Sequence, residues 1–153
     1  MREEQRRESG ICWFTIDEFE NRRPETLYHK EQEEGTGWQE TVKNLHVLAR
    51  AHVKAREEDR CLLRISADDY YKLYVNGVYV AQGPAPAYPE YYYYNEMDLT
   101  DYLTEGDNVI AVHLYYQGGV NRVWNSGDGR FGLGTALFWC RTGEGGASEG
   151  GVS

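Results

Sequence analysis

Apolar and polar residues alternate on both sides of Asn76-Gly77, within residues 62–80. Asn-Gly is the strongest short-range signal for a two-residue type I′ hairpin, because both turn positions need φ > 0. With that loop, Val75 pairs with Val78 and Leu73 with Val80, so these four share an aliphatic face. Lys72, Tyr74 and Tyr79 share the other face, as a half-buried antiparallel hairpin requires.

The rest of the chain extends this pattern. Cys12–Ile16 is a short apolar patch that predicts an edge strand. Residues 17–40 are polar and Glu-rich, with Gly35 and Gly37 as breakers, and Trp38 marks re-entry into packed structure. Residues 42–56 fit two periods. Leu45, Leu48, Ala49 and His52 follow helical spacing, whereas Val47, Ala49, Ala51 and Val53 alternate strictly. Strand is the better reading, because the neighbouring segments are strands. Glu57-Glu58-Asp59 supplies a polar turn into a strand over 62–67. The two prolines of Gly83-Pro84-Ala85-Pro86 exclude ladder bonding and predict a loop or edge.

Tyr91–Tyr94 is expected to return as a strand. Asp98–Leu103 reads as one helical turn with Asp98 as N-cap. Residues 105–108 form a turn. Val109–Tyr116 is a nearly continuous apolar run, which predicts a central strand buried on both faces. Residues 117–132 hold five Gly within a polar loop, and Leu133–Cys140 reads as the last strand. Residues 1–10 are charged and predicted to fray, and 141–153, rich in Gly, Ser and Glu, are predicted disordered. The expected domain therefore spans 11–140. About eight short strands predict an all-β fold, an antiparallel β-sandwich or jelly roll.

Composition narrows the function classes. With 153 residues, the chain is long enough for one domain with a real core. Its net charge of −9 argues against nucleic acid as a partner, where affinity comes from neutralising phosphates, and against an anionic membrane surface. No apolar run approaches the ~20 residues that span a bilayer. The N-terminal residues lack the apolar stretch of a secretory signal. Cys12, Cys61 and Cys140 are odd in number and far apart, which reads as free thiols in a reducing compartment and predicts a cytoplasmic location. Thirteen Tyr and 4 Trp make the chain rich in aromatics. Such rings serve either as cross-strand packing or as platforms for the C–H faces of a sugar.

The order and spacing of several motifs carry a resemblance over roughly residues 28–139. They are Ile-Ser-Ala-Asp-Asp-Tyr-Tyr-Lys-Leu-Tyr-Val-Asn-Gly (65–77), Gly-Pro-Ala-Pro (83–86), Tyr-Tyr-Tyr-Tyr (91–94), Asp-Leu-Thr-Asp-Tyr-Leu (98–103) and Gly-Asp-Asn-Val-Ile-Ala-Val (106–112). Together they resemble the N-terminal β-sandwich domain of bacterial α-L-rhamnosidases, glycoside hydrolase family 78. The resemblance implies a galactose-binding-like jelly roll that precedes a separate (α/α)₆ barrel carrying the catalytic acids. This chain has no such barrel. Where many family members have a Gly-Asn-Gly-Trp-Tyr-like loop, this chain has the different sequence of residues 117–128. The implied role is that of a non-catalytic accessory domain, contacting a rhamnoside or shaping the cleft of the catalytic domain. A purely structural interaction module and a free-standing lectin-like binder are the alternatives.

Glycoside hydrolysis needs two carboxyls about 5–10 Å apart across a cleft. Asp68-Asp69 is the tempting pair, but adjacent strand residues point to opposite faces, which favours a solvated strand end or turn. His29, His46, His52 and His113 show no zinc spacing. No nucleophile elbow or phosphate loop is present. Calcium takes six to eight oxygens from carboxylates and loop carbonyls, and related sandwiches hold such an ion, so Asp68, Asp69, Asp107 and Asp128 are candidate Ca²⁺ ligands. The loop 117–132 is the candidate binding surface, because function concentrates on loops held by a rigid scaffold. There Trp124 would stack on a sugar, with Asn121, Arg122, Asn125 and Asp128 serving its hydroxyls. The competing role for Trp124 is to cap the end of the core.

Overall fold

The computed structural model describes residues 10–17, 44–85, 93–117, 132–140 and 148–149. Nine strands make two antiparallel sheets. In chain order they are β1 (Cys12–Phe14), β2 (Leu45–Ala55), β3 (Arg60–Asp68), β4 (Tyr70–Val75), β5 (Val78–Gly83), β6 (Asn95–Asp98), β7 (Gly106–Tyr116), β8 (Gly132–Cys140) and β9 (Ser148–Glu149). One sheet runs β1-β8-β3-β6, with β9 also on β8; the other runs β2-β7-β4-β5. This is the expected antiparallel sandwich.

The two inner faces follow from period-2 patterning. Cys61, Leu63, Ile65 and Ala67 of β3 face Tyr71, Leu73 and Val75 of β4 and Ile110, Val112, Leu114 and Tyr116 of β7, all in one buried cluster. Leu45, Val47, Ala49 and Val53 of β2 pack against its margin, which settles the 42–56 ambiguity in favour of alternation. At about 25 cal/mol per Å² of apolar surface removed from water, burial of these rows is the main stabilising term.

Asn76 and Gly77 have φ of 51° and 81°, as a type I′ turn demands. Val75 pairs with Val78, but the register shifts between Leu73 and Tyr74, so Leu73 lies opposite Ala81 and not Val80. The bulge adds one residue and breaks the shared face beyond it. Val78 and Tyr79, on the edge strand, are both exposed, while Leu73 and Val75 are fully buried.

Several other expectations need correcting. Among the described residues β7 is fully buried on one face only; Val109, Ala111, His113 and Tyr115 are half-buried on the other, where β2 and β4 flank the strand. The tyrosine run does not itself form a strand within the described residues. Tyr93 and Tyr94 are exposed and β6 starts at Asn95, where pairing with Ile65 begins. The helical turn is a three-residue 3₁₀ turn, Thr100–Tyr102, entered through Leu99. Asp98 still serves it: its Oδ1 accepts from Thr100 N at 2.9 Å and from the Thr100 hydroxyl. These bonds hold the Asp98 carboxyl below its usual range. Within 141–153 the described residues are Ser148 and Glu149, which form β9 and pair with Trp139 and Phe138.

One polar cluster and one close packing contact fix the connections. Asn108 is buried and uses both ends of its amide. Its Oδ1 accepts from Asn76 Nδ2 at 2.8 Å and Thr104 N at 2.8 Å, and its Nδ2 donates to Thr104 O at 2.7 Å and Gly106 O at 3.0 Å. Asn76 Oδ1 in turn accepts from Val109 N at 2.9 Å. On the other sheet, Gly132 and Gly134 of β8 give room for Trp13. A Cβ on Gly134 would stand 2.9 Å from both Ile11 and the Trp13 indole.

Candidate functional site

One end of the four-stranded sheet opens into a cleft on its outer face. The register explains which residues meet there. In one row across the sheet lie Leu48, His113, Lys72 and Gln82; in the next lie His46, Tyr115 and Tyr70. All are outward positions of their strands. Asn44, Gly83, Pro84 and Ala85 complete the rim, and Tyr71 reaches the cleft from beneath. The volume is about 730 Å³, within the range of small-molecule sites.

The walls are flat rings. His46 stacks on Tyr115 with centroids 4.8 Å apart, and Tyr115 lies parallel to Tyr70 at 6.4 Å. Tyr115 is fixed by its hydroxyl, which donates to Asn44 Oδ1 at 2.6 Å. His46 Nδ1 and His113 Nε2 are 2.9 Å apart and share a hydrogen bond. Burial, followed by the Asp69 charge, raises the Tyr70 hydroxyl above its ordinary range, so it stays a neutral donor. At the floor, Tyr71 donates to Asn95 Oδ1 at 2.9 Å, and burial pushes its hydroxyl up to about 12. Gly83 is a close approach: a Cβ there would stand 2.6 Å from Asn95 Oδ1.

No Asp or Glu is among the described residues lining the cleft. Its lining therefore offers stacking faces, one ammonium, amides, imidazoles and phenols and, among the described residues, no carboxylate pair of the kind glycosidic acid–base work uses.

Among the described residues proposed for calcium, Asp107 is not brought to Asp68 and Asp69. Asp68 and Asp69 are buried at the β3–β4 corner, not solvated as expected. Asp69 Oδ2 accepts from Gln117 N at 2.9 Å, which ties the corner to the end of β7. Asp107 sits at the opposite end of the same strand, roughly 33 Å away at ~3.3 Å per residue, and lies 3.8 Å from Lys54 on the surface. Asp128 lies outside the described residues. Among the described residues no group of three or more His, Cys, Asp or Glu converges on a metal position. Asn121, Arg122, Trp124 and Asn125 also lie outside the described residues. Their connection leaves β7 at Gln117, beside Tyr115, and returns at Gly132, opposite Asp68.

Spacing in the sequence did not flag His46, Tyr70, Lys72, His113 or Tyr115. The usable signal was alternation: outward positions of β2 and β7 become neighbours once those strands are paired. The pairing itself, across some 60 residues, has no local marker.

Neither protein-family models nor curated protein sequences match the chain. Solved structures do. A family 78 rhamnosidase of Bacillus sp. GL1 superposes with a TM-score of 0.56 and 30% identity over 67% of this chain. The match is to one domain of a family 78 rhamnosidase. α-L-Rhamnosidases from Streptomyces avermitilis, complexed with L-rhamnose, and from Aspergillus terreus share the fold, with TM-scores of 0.51 each, 20% and 21% identity, and 71% and 70% of this chain covered. The chain spans only 11%, 10% and 14% of these three rhamnosidases. The likeness to rhamnosidases is thus at domain level. No helix among the described residues is long and apolar enough to cross a membrane.

Proposed function

We propose that this chain is a non-catalytic accessory domain of an α-L-rhamnosidase-type glycoside hydrolase, and that the outer-face cleft contacts carbohydrate. The observation that carries the reading is the composition of the cleft. Stacked rings of His46, Tyr115 and Tyr70 suit the C–H face of a pyranose, Lys72, Gln82 and Asn44 suit its hydroxyls, and the lining described has no carboxylate. Asn121, Arg122, Trp124, Asn125 and Asp128 extend the same ligand-facing rim in this proposal, because their connection starts at Gln117 next to the cleft. The three cysteines are free thiols, which suits a reducing, cytoplasmic setting.

One feature favours a second reading, that of a surface packed against the catalytic domain. Leu48 lies beside His113 and is 70% exposed, an apolar outcrop that a partner would cover.

Titration of the 153-residue chain with L-rhamnose, followed by intrinsic fluorescence, tests the proposal. Weak binding, around the millimolar range, is expected, since a small exposed ligand buries little area. Tyr115→Ala should weaken it about tenfold by removing a stacking face worth roughly 1 kcal/mol or more. An aryl α-L-rhamnoside should not be hydrolysed. Binding unaffected by Tyr115→Ala would remove the cleft from the account, and no binding would leave the packing reading.

A further inference from the structure

His46 and His113 stand on paired strands as diagonal neighbours: His46 is opposite Tyr115, and His113 is opposite Leu48. Their Nδ1 and Nε2 are 2.9 Å apart and the ring centroids are 5.0 Å apart. A neutral imidazole carries one N–H and one lone pair, so a single shared proton joins the two rings. A metal ion in its place would meet two lone pairs. Two imidazole nitrogens each about 2.05 Å from a metal lie ~2.9 Å apart at a right angle and ~3.3 Å apart at the tetrahedral angle. The corresponding ring centroids are roughly 4.5 and 5.2 Å apart. The spacing of the pair thus falls within the chelating range, and turning both rings by about 35–45° from the N–N line aims their lone pairs at a common point.

We propose that His46 Nδ1 and His113 Nε2 form a two-imidazole site for a divalent transition metal of tetragonal preference, Ni²⁺ or Cu²⁺. The remaining coordination positions open into the cleft and take water or a ligand's oxygens. Binding moves the shared proton, by exchange with water, to the remote nitrogen of the ring that carried it, so that His46 is protonated on Nε2 and His113 on Nδ1 and both rings stay neutral. His46 is held for this by its stacking on Tyr115, which Asn44 anchors in turn. With two protein ligands the ion exchanges readily. The inference stands apart from the carbohydrate reading, whose titration uses metal-free protein.

The test is a titration of the ¹⁵N-labelled full chain with Ni²⁺, which, unlike Cu²⁺, leaves the exposed thiols of Cys12 and Cys140 unoxidised. Paramagnetic broadening should centre on residues 46 and 113. His46→Ala and His113→Ala should each weaken binding by at least about tenfold, while His52→Ala, further along β2, should not. The same spectra report whether each variant is folded. Broadening centred on Cys12 or Cys140, loss in only one of the two histidine variants, or no binding at about 1 mM Ni²⁺ would overturn the proposal.

Discussion

Asn108→Ala should be among the most damaging polar-to-alanine changes in the described part of the domain. The side chain is 1% exposed and makes four well-formed hydrogen bonds, to Asn76, twice to Thr104, and to Gly106. Each is worth about 0.5–1.5 kcal/mol net, which gives an upper range of ~2–6 kcal/mol. Thr104 and Gly106 are exposed, so water replaces part of the loss. The expected cost is therefore about 3 kcal/mol, a large share of the 5–15 kcal/mol typical of a domain. Asn108→Asp keeps the acceptor bonds but turns an oxygen toward two carbonyl oxygens, and should cost a similar amount. Urea unfolding followed by tyrosine and tryptophan fluorescence measures both, with the midpoint falling by roughly 1–2 M at an unchanged slope. Because Asn76 binds the same amide, the Asn76→Ala, Asn108→Ala double mutant should cost less than the sum, by about 1 kcal/mol. A cost below about 0.5 kcal/mol for Asn108→Ala, or strict additivity, would refute the view that this amide joins the hairpin turn to the start of β7.

Three further outcomes follow from the same structure. Gly77→Val should destabilise by about 1–2 kcal/mol through backbone strain alone, because φ is +81° yet nothing lies within 4 Å of a Cβ there; an unchanged melting temperature would contradict this. Gly134→Val should cost more than Gly77→Val, since its Cβ meets Ile11 and Trp13 at 2.9 Å, and near-ultraviolet dichroism should report the displaced indole. Burial pushes the Cys61 thiol from 9.0 up to about 12 and the Tyr71 hydroxyl from 10.0 up to about 12. The folded state thus binds more protons than the unfolded one, so stability is full below pH 9 and falls as pH rises toward 12; Cys61→Ala should flatten the slope that begins near pH 9, and an unchanged slope would contradict the assignment.

What the sequence made legible is what local chemistry dictates. Asn76-Gly77 specified its turn because few other residues tolerate positive φ at both positions, and strict alternation identified β2 despite a competing helical period. The bulge at Leu73 and Tyr74 was not legible, since nothing in the sequence marks an added residue, and it set Leu73 opposite Ala81 instead of Val80. Asp68 and Asp69 read as solvated because isolated carboxylates rarely survive burial, but the corner they occupy is closed by Gln117 from a distant strand. The cleft has the same origin. Its histidines and tyrosines are outward residues of strands far apart in sequence, and only the pairing of β2 with β7 and β4 sets them in adjacent rows.

The functional face proposed for this rhamnosidase-like domain is the outer surface of its four-stranded sheet. Chemical-shift mapping of the ¹⁵N-labelled chain during titration with L-rhamnose tests it most directly. Shifts should concentrate at Asn44, His46, Tyr70, Lys72, Gln82, His113 and Tyr115 and extend into residues 118–131. Shifts confined to the five-stranded sheet, or none at tens of millimolar sugar, would contradict it.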